Sequence, residues 1–87
     1  MNELKDTVTL MLSGDYKDRF KAEYYQLKIR HDKLLNMLAR HDTGTLGFEP
    51  DCSIGLLAEQ CGAMGRYLNI MESRAKVEGI ELDISVN

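Results

Sequence analysis

Residues 54–75 read IGLLAEQCGAMGRYLNIMESRA, and this stretch decides the fold. Ile54, Leu57, Cys61, Met64, Leu68, Met71 and Ala75 recur at alternating three- and four-residue steps. Such spacing draws one apolar seam down a side of an α-helix. A matching seam precedes it, through Phe20, Tyr24, Leu27, His31, Leu34 and Leu38. The first long helix is expected from about Tyr16 to about His41, a stretch without Gly or Pro and rich in good helix formers. At a 1.5 Å rise it is roughly 39 Å long. Asp15 suits its N-cap and Gly44 its left-handed end. The second helix is expected to start near Asp51 or Ser53 and to stop near Glu78, with Gly79 as the terminator. The short connection Thr43 to Cys52 favours an antiparallel pair.

The ends are read with less regular patterns. Leu4, Val8, Met11 and Leu12 fit a short helix, whereas Thr7-Val8-Thr9-Leu10 has strand-like β-branched content. The helix is preferred. The tail Ile80-Glu81-Leu82-Asp83-Ile84-Ser85-Val86 alternates with period two. It is expected to pair with the N-terminal segment, pair with another chain or lie extended over the helices. The fold class is therefore all-α: one helical-hairpin domain over residues 1–87, with a short N-terminal helical segment (1–14) and an extended tail (79–87).

Composition limits the function classes. The chain has 87 residues, 44% of them hydrophobic and 29% charged, which fits one small soluble domain. It has no apolar run of about 18 residues. Met1-Asn2-Glu3-Leu4-Lys5-Asp6 lacks the basic-then-apolar order of a secretory leader, so the cytoplasm is the expected compartment and no membrane partner is expected. The two cysteines, Cys52 and Cys61, read as reduced thiols with Cys61 in the seam. Neither they nor His31 and His41 show metal-ligand spacing, and no cofactor is expected. No nucleophile–base order, carboxylate pair or phosphate-cradling glycine loop stands out, so an enzyme is not expected.

Charge is uneven. Between Tyr16 and His41, seven cations outnumber three acids, although the whole chain carries −3. An acidic protein with one basic helix does not suit duplex nucleic acid but does suit a local pocket for a small anion. Lys17, Lys21, Tyr24 and Lys28 share a face, with Arg19 and Tyr25 close by. An aromatic ring stacks on a base while an amine or guanidinium meets a phosphate. The expected ligand-binding residues are Arg19, Lys21, Tyr24, Tyr25 and Lys28, with Arg74 contributing from a neighbouring subunit. The plainer reading makes Tyr24 core and the lysines a solvated face.

Assembly is expected from spare apolar surface. Leu56, Ala63, Ile70 and Val77 form a second stripe on the second helix, and Ile29, Leu35 and Met37 lie off the seam of the first. A helix apolar along more than one stripe is buried on more than one side. A homo-oligomer covers them most simply, unless the N-terminal segment and the tail do so. Gly55, Gly62 and Gly65 each cost about 1 kcal/mol relative to alanine inside a helix; close approach of a helix, which one being left open, is the expected compensation, and backbone access for a ligand or a neighbouring subunit is the alternative. Leu46 and Phe48 are expected to fold back and plug the end of the hairpin, a ligand lid being the alternative.

Particular words also resemble a known group. Tyr16-Lys17-Asp18-Arg19-Phe20-Lys21-Ala22-Glu23-Tyr24-Tyr25-Gln26-Leu27, then Gly44-Thr45-Leu46 with Phe48, Pro50 and Cys52, are similar to small phage and prophage proteins of the crAss-like-phage-related group. Met64, Tyr67, Glu72, Arg74-Ala75 and Glu78-Gly79-Ile80-Glu81-Leu82 fit the same group. The resemblance implies a phage origin and a helical hairpin. By analogy alone, phage hairpins of this kind include the anti-CBASS and anti-Thoeris sponges, which bind cyclic nucleotides or ADP-ribose-type signals without cleaving them. The glycine-tyrosine-arginine start of those sponges is absent here, where Gly14-Asp15-Tyr16-Lys17 stands. The expectation is a non-enzymatic anti-defence protein that captures a small anionic nucleotide-derived ligand; the alternative is a helical adaptor or inhibitor that docks on a host or phage protein.

Overall fold

In the computed structural model, which describes residues 3–83, a 3₁₀ turn over Leu4–Thr7 leads directly into α1 (Val8–Met11). Two long helices follow, α2 (Tyr16–Asp42) and α3 (Ile54–Glu78), and no strand occurs among the described residues. Each long helix begins where an oxygen-bearing side chain relieves an orphan amide. Asp15 accepts from the backbone N–H of Lys17, and Ser53 accepts from that of Leu56. α3 ends at Gly79, whose φ of 71° only glycine adopts without strain, and the Ile80 amide then closes onto the Ala75 carbonyl at 2.9 Å. Gly44, at φ 73°, turns the chain after α2.

The helix-or-strand ambiguity of residues 4–12 resolves as helix. The N-terminal segment packs on α2 rather than standing apart. Thr7 is fully buried, donates to the Leu4 carbonyl at 2.7 Å and accepts from the Gln26 amide at 2.8 Å. Ala22 and Ile29, on the same side of α2 as Gln26, are buried as well. Part of the spare apolar surface of α2 is therefore covered from within the chain.

The main core sits where the start of α2, the end of α3 and the first tail residues meet. Phe20, Tyr24, Leu68, Met71, Ala75 and Ile80 form it, with Tyr25, Leu27 and Leu82 packed against its edge. Residues 80–83 lie in a non-helical run, tied to α2 by the Asp83 amide, which donates to the Tyr25 hydroxyl at 2.8 Å. The strand-like reading of the tail gives way to an extended run over the helices; Ile84, Ser85 and Val86 lie outside the described residues.

The other end of the hairpin is thinly packed. Seam positions Leu34, Leu38, Ile54, Leu57 and Met64 are only half-buried, and Cys61 is the seam residue there that is buried. One expectation fails in this region. Phe48 does not plug the hairpin but stays 59% exposed, in a bend of a connection without regular structure; Leu46 is half-buried. No helix approaches Gly55 or Gly62 within the chain: a Cβ at Gly55 would meet open space, and one at Gly62 only the Arg66 side chain at 3.9 Å. Gly65 does face α2, where the His31 ring would lie 3.6 Å from its Cβ.

Candidate functional site

The six residues singled out in the sequence separate into four places. Tyr24 belongs to the core. It has no exposed surface, and its hydroxyl donates to the Glu72 carboxylate at 2.7 Å. Burial, reinforced by that carboxylate, pushes its phenol well above the ordinary tyrosine range. A ring covered on both faces cannot stack on a base, so Tyr24 is removed from the candidate site in favour of its plainer reading. The reason is register: Tyr24 follows Phe20 by four residues and points with it towards α3.

Tyr25 lies beside the tail, and Lys21 and Lys28 share its face of α2. Tyr25 is half-buried, packs edge-on to Tyr24 with ring centroids 5.7 Å apart, and has its hydroxyl engaged by the Asp83 amide. Lys28 is paired with Asp32 at 3.1 Å one helical turn on. Lys21 is half-buried on the same face. Arg19 lies elsewhere, donating to the Ser13 carbonyl at 2.9 Å and fastening the turn before α2.

Arg74 gathers the most developed polar cluster. Its guanidinium lies 5.0 Å from the centroid of the Phe20 ring, a cation–π arrangement. Its Nη2 donates to the Tyr16 hydroxyl at 2.6 Å and its Nε to Glu78 at 3.0 Å. The Tyr16 hydroxyl in turn donates to Glu78 at 2.9 Å, and the Tyr16 ring tilts against Phe20 at 6.3 Å. The Tyr16 and Arg74 hydrogen bonds hold the Glu78 carboxyl below its usual range, while Glu78 raises both the Tyr16 phenol and the Arg74 guanidinium. Close by, the Lys17 Nζ reaches to 3.5 Å from the Gly79 carbonyl. Tyr16 and Glu78 were missed in the sequence because they are 62 residues apart and neither lies on a seam.

This cluster borders an open groove of about 410 Å³ along α3, lined by Asn69, Ile70, Ser73, Arg74, Val77 and Glu78. A cation paired with a carboxylate, two neutral polar side chains, an apolar wall and a nearby half-exposed aromatic ring therefore converge at the packed end of the hairpin. Small-ligand sites have this mixture and this size. A second open groove, of about 690 Å³, lies further towards the start of α3 and includes Leu56, Glu59, Gly62, Ala63 and Arg66. Among the described residues no cluster of three or more His, Cys, Asp or Glu side chains could hold a metal, and no helix is long and apolar enough to cross a membrane. Cys52 is exposed and Cys61 buried, both as free thiols.

The profile of the Sequestin family matches residues 14–77, nearly three-quarters of the chain. The chain belongs to the Sequestin family. The match spans α2, all of α3 but its last residue, and every residue proposed as ligand-binding, from Arg19 to Arg74. No curated protein and no solved structure matched.

Proposed function

We propose that this Sequestin-family chain is a phage-encoded anti-defence protein. It binds and sequesters a small nucleotide-derived immune signal, of the cyclic nucleotide or ADP-ribose type, without chemical conversion. It acts in the cytoplasm of the bacterial host as a homo-oligomer. The observation that carries the reading is the family assignment, whose name denotes sequestration, over the segment that holds the basic and aromatic residues. The geometry supports it in kind. Arg74, held through Nε by Glu78 and through Nη2 by Tyr16, keeps Nη1 to meet a phosphate, Asn69 and Ser73 offer hydrogen bonds, and Ile70 and Val77 supply an apolar wall. Tyr16, 48% exposed and hydrogen-bonded to Arg74 and Glu78, replaces Tyr24 as the aromatic ring beside the cluster.

Isothermal titration calorimetry against a panel of cyclic dinucleotides and ADP-ribose-type signals tests the reading, with mass spectrometry of the recovered ligand. Binding with return of intact ligand is expected. Conversion of the ligand would make the protein an enzyme, and silence across the panel would remove the capture hypothesis. Arg74→Ala should abolish binding if the groove is the site. Loss in Lys21→Ala/Lys28→Ala but not in Arg74→Ala would move the site to the face beside the tail.

One observation favours a second reading. Leu56, Ile70 and Val77 are 56%, 60% and 88% exposed along one side of α3, as a helix that docks on another protein would present them. An adaptor gives no nucleotide response and gains stability on meeting a host or phage protein.

A further inference from the structure

The outer side of α3 repeats every seven residues. Leu56, Ala63, Ile70 and Val77 form its apolar line, all exposed. Glu59 and Arg66 flank that line on the same side, three residues after Leu56 and Ala63. Both line the larger groove, between Leu56 and Ala63, and among the described residues neither takes part in an ion pair or a side-chain hydrogen bond. Seven residues is roughly 10.5 Å along a helix, too far for the two to pair with each other.

We propose that this face is where a second copy of the chain docks, α3 against α3 in antiparallel order, crossing near Ala63. The inference deepens the assembly part of the reading above and does not depend on the ligand. Three features select the arrangement. A two-fold crossing centred at Ala63 sets Glu59 beside Arg66 of the partner subunit, and Arg66 beside Glu59 of the partner subunit, on one flank. Both unpaired charges are satisfied at once. The same crossing lays Leu56 against Ile70 of the partner subunit, twice. At its centre stand Gly62 and Ala63, with Gly55 about two turns away, and a Cβ at either glycine would meet no backbone. Small residues at a crossing let two helices approach closely. This explains the two glycines that no helix of the same chain approaches. A parallel pair would instead set Glu59 against Glu59 of the partner subunit and Arg66 against Arg66 of the partner subunit, which like-charge repulsion disfavours. A closed two-fold dimer is the commonest outcome of such self-complementarity.

Sedimentation equilibrium of the full chain, with circular dichroism to report helix content, tests the proposal. The native chain should sediment at twice its 9.9 kDa mass. Glu59→Arg and Arg66→Glu should each raise the dimer dissociation constant by about tenfold or more. The double variant Glu59→Arg/Arg66→Glu should recover native affinity, because the pair is restored with its polarity exchanged. Ala63→Lys should give a helical monomer. All these positions are exposed, so the fold should survive. A native chain that stays monomeric at hundreds of micromolar overturns the proposal. So do single variants that dimerise like the native chain, or a helical double variant that does not recover. A chain that dimerises as described but binds no nucleotide fails only the capture reading.

Discussion

Tyr24 and Tyr25 are adjacent, yet one is core and the other edges the tail, and the difference is chemical as well as geometric. Tyr24 keeps its proton above the ordinary tyrosine range because burial disfavours the phenolate. Its native pKa is raised, so its contribution to stability is complete below about pH 10 and falls as pH rises from there towards the native value. Absorbance titration should show one of the four tyrosines resisting ionisation until the chain unfolds. Tyr24→Phe removes the hydrogen bond to Glu72 and should cost about 1–2 kcal/mol in urea denaturation near neutral pH. Glu78 behaves oppositely. Its pKa is lowered by Tyr16 and Arg74, so its contribution is present above the usual carboxylate range and is lost as pH falls through the lowered value. Acid denaturation of Glu78→Gln should lack that component. At this scale the sequence was only half legible. Counting turns places Tyr24 with Phe20, but the Tyr16–Arg74–Glu78 cluster depends on which helix ends meet, and no local spacing encodes that.

Helix ends are written in the sequence because capping is local. Asp15, Ser53, Gly44 and Gly79 each do what their side chain, or lack of one, predicts within a few residues. Gly79→Ala should lower stability by roughly 1–2 kcal/mol, since alanine resists a left-handed φ, and it should loosen Ile80 from the core. The N-terminal segment is a separate case. Its alternating β-branched residues gave a mixed signal, and docking on α2 settled it. Thr7→Val deprives the Gln26 amide of its partner at 2.8 Å, and the expected result is a loss of about 1 kcal/mol with faster amide exchange across residues 4–11. Gly55 and Gly62 show the limit of reading one helix alone. Their spacing predicts a close approach but does not say which helix makes it, and a small residue on an outward face signals only what another chain can approach.

At the scale of the molecule, burial is unequal along the hairpin. Phe20, Met71, Ala75 and Ile80 close one end, while Leu34, Leu38, Ile54 and Leu57 remain half-covered at the other. Seam periodicity predicted both ends equally, because a repeat records which side faces a partner helix and not how completely it is covered. Phe20→Ala should cost about 3–5 kcal/mol and also remove the ring beneath Arg74, so thermal stability and ligand affinity should fall together. Hydrogen exchange should be slowest around residues 20–25 and 68–75 and fastest near the connection. The polar cluster that borders the groove draws Tyr16 from the start of one long helix and Arg74 and Glu78 from the last turns of the other. Its assembly therefore waits until both long helices have been made. A ribosome must have added Glu78 and let it emerge before Tyr16 finds both of its hydrogen-bond partners, so a chain cut short ahead of residue 78 keeps the Tyr16 ring but loses the carboxylate that anchors it.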